Sequence, residues 1–439
     1  MKDVYRLLNP LKSYPWGSYS ALPELLGRKA PSLQPQAELW MGAHPRGRSV
    51  AVTEMGEVPL DRLLKQQSSA LLGRRAARLF AKRLPFLFKI LAVEQPLSIQ
   101  LHPDRARARA GYRAEKERQV ARDAAERRYP DPWPKPELVY AVTHFEALHG
   151  LRPRLEARQG LERLQVDELR ETVAALDSVG TGETFLRLLR LQEPERSALA
   201  EAVSTAAARL EADPDWGSAA RWCRRIAELH PHDPALIAPF LMHIVELAPG
   251  EALFTGPGTL HAYLAGTALE VMGSSDNVLR AGLTSKHVDV DELARLLARD
   301  EEAPELAVAE ELDEGVTRFD AGAREFELLR LRLEEDRPYR APDDRSLEIV
   351  LCLTGEVTFD NQQRELQLRG GQALAIGAAA PAYRLSGNGE VFVATIPAGE
   401  SDDEEWGLDE ESREGGEGGA EEAPDEASSG PEATTFAAD

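Results

Sequence analysis

Apolar and polar positions divide the chain into three textures. Over the first 150 residues, short apolar runs such as Pro85 to Val93 (PFLFKILAV) are bounded by turn formers, which predicts strands with intervening helices. Leu63 to Lys82 reads as helix. From about Leu155 to Pro231 the period lengthens: Leu199, Val203, Ala206 and Leu210 recur at helical spacing, as do Trp222, Ile226 and Leu229. Residues 151–238 are therefore expected to form a helical insertion.

Near Phe240 the strand pattern returns in MHIVELAPGEALFTGPGTLHAYLAGTALEVMG, where Pro-Gly and Gly turns divide the apolar runs. A short helical run over Asp291 to Ala298 follows. The segments LEIVLCLTGEVTF, GGQALAIG and GEVFVATI then repeat the strand punctuation without a histidine. The expected class is mainly β with α, built from two β-barrels. Residues 1–150 and 239–290 would form one barrel and residues 291–398 a second, metal-free one. Residues 399–439 are acidic and poor in large apolar groups, which predicts a disordered tail.

Composition changes this picture little. The 439 residues suit two or three cores, and 43% hydrophobic with 29% charged residues is an ordinary globular balance. The formal charge of −22 is concentrated at the end: from Glu400 onward, 16 acids stand against Arg413 alone. No positive stripe remains for a phosphate backbone, so no nucleic acid is expected as partner. No export signal or membrane span is expected, because no apolar stretch reaches the roughly 18 to 20 residues a bilayer needs. Cys223 and Cys352, far apart, fit a reducing cytoplasm rather than a disulfide framework.

Candidate chemistry lies in five places. In Ser98-Ile99-Gln100-Leu101-His102, strand alternation puts Ser98, Gln100 and His102 on one face. Lys135-Pro136-Glu137 holds an ammonium and a carboxylate about a fixed proline. A Pro-Gly turn at Pro257-Gly258 delivers His261 and Tyr263 on one face of a strand. Taken singly, each reads more readily as an ordinary polar strand face, a surface pair or a core histidine. Taken together, Gln100, His102, Glu137 and His261 supply two imidazoles, a carboxylate and an amide oxygen, a donor set suited to a catalytic Zn²⁺.

Glu270 interrupts the apolar run Ala268 to Met272 and is expected to face the same cavity, since a buried carboxylate needs a partner. In the polar stretch that follows, Arg280 and Lys286 could clamp a phosphate dianion. No Walker A or dinucleotide fingerprint is present.

These residues resemble the type I mannose-6-phosphate isomerases, zinc-dependent enzymes of the cupin superfamily. The resemblance runs through NPLKSYPWGS, AELWMGAHPRG, LPFLFKILAVEQPLSIQLHPD, KPELVYAVTHFEALHGLRP and GPGTLHAYLAGTALEVMGSSDNVLRAGLTSKHVDV, in the family's order. It implies jelly-roll barrels, one Zn²⁺ per chain on Gln100, His102, Glu137 and His261, and Arg280 as the active-site arginine. Lys135, Tyr263, Glu270, Asp276 and Lys286 fall on pocket positions. The implied activity is reversible isomerisation of mannose 6-phosphate and fructose 6-phosphate through a cis-enediol(ate), with Lys135 as first candidate base and Glu270 as second.

The implied partner is a small-molecule hexose 6-phosphate, and a cytoplasmic monomer is expected. One departure stands out: the family commonly carries Asn-His before Lys-Pro-Glu, where this chain has Trp133-Pro134. A proline neither donates nor accepts a proton through its side chain, so ring opening needs another group or water. Two other readings compete: a barrel acting on another hexose phosphate, and a non-catalytic barrel that binds a sugar phosphate or metal.

Overall fold

A computed structural model describes residues 3–121, 124, 127–298 and 304–398, so the expected tail over 399–439 lies outside the described residues. The architecture is mainly β with α: two antiparallel sheets of eleven strands each, with helices beside them.

The first sheet runs Met242–Leu247, Phe145–Leu151, His261–Gly273, Phe86–Val93, Glu38–His44 and Leu11–Lys12. Shorter strands, among them Gln100–Leu101, Glu137–Ala141, Ala252–Thr255 and Leu279–Arg280, branch from this path. The thirteen residues of His261–Gly273 organise it. Their first part pairs with Phe145–Leu151 and with Gln100; from Gly266 onward they pair with Phe86–Val93. Gly266 makes this change of partner possible. Its φ is +118°, and a Cβ there would lie 2.5 Å from the His144 carbonyl oxygen.

Alternation then decides which side chains enter the interior. Ala262 and Leu264 pack with Ile99, Leu101 and Leu148 against the helices, so His261 and Tyr263 point the other way. Leu138 and Tyr140, with Leu269 and Val271, join the core that the two sheets share, which turns Glu137 and Glu270 inward.

Between Arg154 and Leu241 the chain is helical, with helices Arg154–Leu164, Arg170–Leu189, Glu195–Ala207 and Gly217–Leu229 and a last short turn. Leu199, Val203, Ala206, Trp222 and Ile226 are buried there, whereas Leu229 is exposed. The expected single helix over Leu63 to Lys82 is two, Leu60–Leu72 and Arg74–Leu79, parted at Gly73 with φ +80°.

The expected grouping of residues 1–150 into one barrel is corrected by the pairing. Val4–Leu8 bonds to Ala373–Ile376 and to Val50–Thr53, so these N-terminal strands extend the second sheet. The physical reason is that alternation records which face is buried and carries no information about the partner strand. Tyr5 and Leu7 share a core with Ile349 and Phe392, hundreds of residues on.

Candidate metal centre

The pairing register builds the site. Gln100 lies opposite His261 on one side and Arg280 on the other, so three polar side chains from three strands form one row. His102 follows two residues after Gln100. Glu137 opens its strand opposite Met272 and Thr255, which brings it in from the adjoining side.

His102, Glu137 and His261 converge, with ligand atoms all within 4.8 Å of one another and all three residues buried. His102 Nε2 is 3.2 Å from Glu137 Oε1, and His261 Nε2 is 3.2 Å from Glu137 Oε2. The far nitrogens are also fixed. His102 Nδ1 donates to the Asn277 carbonyl at 2.9 Å and His261 Nδ1 to the Thr259 carbonyl at 3.0 Å. A carbonyl cannot donate, so each Nδ1 carries the hydrogen and Nε2 is the ring atom turned toward the carboxylate.

A neutral imidazole nitrogen facing a carboxylate is repelled unless a cation lies between them. Burial, with the Lys135 charge beside it, pushes His102 down to about 4, so it is neutral near pH 7. Burial alone would raise Glu137, but its neighbours, Lys135 foremost, outweigh it and hold the carboxylate well below its ordinary range. The donor set therefore fits Zn²⁺: two imidazole nitrogens with carbonyl partners behind them and one ionised carboxylate. Gln100 is half-buried, and among the described residues its amide makes no hydrogen bond, which leaves its oxygen available as a fourth ligand.

Lys135 occupies the cationic position in this cluster. Its Nζ donates to Glu137 Oε1 at 2.5 Å and lies 3.5 Å from His102 Nε2. Tyr263 donates to Glu270 Oε1 at 2.9 Å and lies 3.5 Å from Glu137 Oε2, linking the two carboxylates. Burial and both neighbouring carboxylates raise the phenol well above its ordinary value, so it stays a donor.

The remaining predicted residues lie around this centre. Asp276 accepts from Arg46 and is 3.4 Å from His44 Nε2. Burial alone would raise its pKa, but His44 and Arg46 outweigh it and hold the carboxylate below its ordinary range, so it is ionised. Among the described residues, Arg280 and Lys286 make no ion pair. Burial and Arg46 lower the first; Arg280, burial and Arg46 lower the second, as expected of like charges set close together. Ser98 is half-buried on the coil before Gln100–Leu101, and no hydrogen bond of its side chain joins it to the centre; the expected five-residue strand is two residues long.

Three contributors escaped the sequence reading. Lys89 is buried opposite Glu270 and pairs with it at 2.8 Å. His44, at the end of Glu38–His44, and Arg46, in the turn after it, hold Asp276. Lys89 had a usable signal, a lone charge in an eight-residue apolar strand; the other two lie at a strand end and in the turn that follows it, with no pattern to mark them.

Comparison with known proteins agrees with this geometry. The family model for the catalytic domain of type I phosphomannose isomerase matches residues 4–154. The mannose-6-phosphate isomerase of Salmonella typhimurium is 39% identical over 400 residues, covering 88% of this chain and 98% of that protein. The Escherichia coli enzyme of the same name is 36% identical with the same coverage. Among solved structures, the Salmonella typhimurium enzyme bound to its substrate fructose 6-phosphate and to zinc superposes with a TM-score of 0.81 at 35% identity, covering 90% of this chain and all of that one. The chain belongs to the type I phosphomannose isomerase family.

Proposed function

We propose that the chain interconverts mannose 6-phosphate and fructose 6-phosphate, an aldose–ketose isomerisation, with one zinc ion held by Gln100, His102, Glu137 and His261. The observation that carries this reading is the convergence of His102 Nε2 and His261 Nε2 on Glu137, each 3.2 Å from one of its oxygens. When bound, zinc supplies Lewis acidity to the sugar oxygens on which charge grows.

The chain's own groups divide the remaining work. Arg280 and Lys286 bind the phosphate end, where their mutual repulsion is relieved by a dianion. Lys135 is the base: as the free amine it takes the C2 proton, becoming ammonium, and returns that proton at C1 of the cis-enediol(ate), a role its place beside the ligands His102 and Glu137 supports. Glu137 cannot serve lysine and metal fully at once; as it turns to the metal, Lys135 is left to exchange protons with the sugar. Glu270, the second candidate base, is engaged by Lys89 and Tyr263, so its part is to hold the phenol in place. With Pro134 where a histidine would stand, ring opening falls to Asp276 or to water.

The partner is a small hexose 6-phosphate. No helix among the described residues is long and apolar enough to cross a membrane. The two buried free cysteines fit a reducing compartment, and we place the enzyme in the cytoplasm as a monomer. A coupled assay with mannose 6-phosphate as sole substrate tests the reading; glucose 6-phosphate in its place tests the competing isomerase.

A further inference from the structure

The segment that delivers Lys135 and Glu137 is held from several sides. Trp133 is buried, and two guanidiniums lie against its ring, with the central carbon of Arg83 at 5.0 Å and that of Arg105 at 5.7 Å from the centroid. Arg83 donates to the Ser274 carbonyl at 2.9 Å. Arg105 donates to Glu325 at 2.6 Å, and Glu325 lies just before the second sheet's strand Glu327–Leu333.

The backbone of Trp133 is equally engaged. Its N–H donates to Asp131 Oδ1 at 3.0 Å, and its carbonyl accepts from Asn277 Nδ2 at 2.7 Å and Ser275 Oγ at 3.1 Å. Beyond it, Pro134 and Pro136 fix two φ angles around Lys135. Gly273 presses on the far side: a Cβ there would lie 2.7 Å from the Pro134 oxygen and 3.1 Å from Lys135 Cα. The Gly273 N–H also donates to the Pro136 carbonyl at 2.8 Å. Hydrogen bonds, two prolines and the close approach of Gly273 thus hold the backbone between the indole and the two side chains it precedes.

We propose that Trp133, clamped by Arg83 and Arg105, is a positioning residue that sets Lys135 and Glu137 at the metal centre, and that Glu325 ties this clamp to the second sheet. The inference deepens the isomerase reading and rests on it for its kinetic part. Trp133 touches no reacting atom and acts through the two residues that follow. Its effect therefore falls on zinc affinity and turnover, while the phosphate end, on Arg280 and Lys286, keeps its grip.

The test compares the parent with Trp133→Ala, Trp133→Phe and Glu325→Gln, measuring zinc affinity against a chromogenic chelator and kcat and KM for mannose 6-phosphate. Removing support behind a metal ligand typically costs about 10- to 100-fold. Trp133→Ala is expected to lose that much in zinc affinity and kcat with KM within about threefold, Trp133→Phe to recover most of the loss, and Glu325→Gln to lose about threefold in kcat. Parent-like zinc affinity and kcat in Trp133→Ala, or a change confined to KM, would overturn the proposal. Should Trp133→Ala fail to fold, Glu325→Gln decides, and parent-like kcat and zinc affinity in that variant would overturn it. A parent protein inactive on mannose 6-phosphate would instead refute the isomerase reading, and zinc affinity would still judge the clamp.

Discussion

Lys89 and Glu270 face each other across two adjacent strands, with the ammonium 2.8 Å from the carboxylate and both side chains almost wholly buried. Burial alone would discharge the lysine, but Glu270 and Glu38 outweigh it and hold its pKa above the ordinary value. The pair explains how Glu270 stays in an apolar strand beside the metal centre, where it accepts from Tyr263.

Breaking this pair from one side leaves a buried charge without a partner. Lys89→Met is expected to destabilise the fold by about 3 kcal/mol, and adding Glu270→Gln should recover a large part of that. Urea unfolding of the single and double variants checks it; equal stability of Lys89→Met and the parent would show that the pair carries no such role.

A second buried carboxylate makes stability depend on pH. Glu348 lies in the second sheet beside Arg345, their side chains both about 3% exposed, and burial pushes it up to about 7 against the pull of that arginine. The folded state therefore holds a proton that the unfolded chain releases near its ordinary value. The resulting stability is complete below about pH 4.5 and declines as pH rises through about 7. Glu348→Gln, which cannot ionise, should remove a decline on the order of 2 to 3 kcal/mol. Urea midpoints at pH 5 and pH 8 test this, and parallel losses in parent and variant would contradict it.

The phosphate assignment predicts a split between binding and turnover. Arg280→Ala removes a charge-assisted contact of about 1.5 to 3 kcal/mol, so KM for mannose 6-phosphate should rise about 10- to 100-fold. Lys286→Met, more exposed, should raise it less. Steady-state kinetics with the phosphorylated sugar read this directly; an Arg280→Ala variant with unchanged KM would remove Arg280 from the phosphate end.

Much of the centre was legible in the sequence because strand alternation and motif spacing act locally. Gln100 and His102 share a segment, His261 and Tyr263 share a strand face, and Lys135 and Glu137 are fixed about one proline. What stayed hidden depended on partners distant in the chain. Nothing near Val4–Leu8 announces that it pairs with Ala373–Ile376, and Asp276 gives no sign that its partners are His44 and Arg46. Trp133 drew notice only as a departure from family usage; its two guanidinium neighbours come from residues 28 and 50 positions away, which no periodicity connects.

The most direct measurement is a coupled isomerase assay on mannose 6-phosphate, run on the purified protein, after chelation, and after zinc is returned, beside His102→Ala. The account predicts turnover that chelation abolishes and zinc restores, with His102→Ala inactive at zinc concentrations that saturate the parent. Turnover indifferent to chelation and to His102 would contradict it.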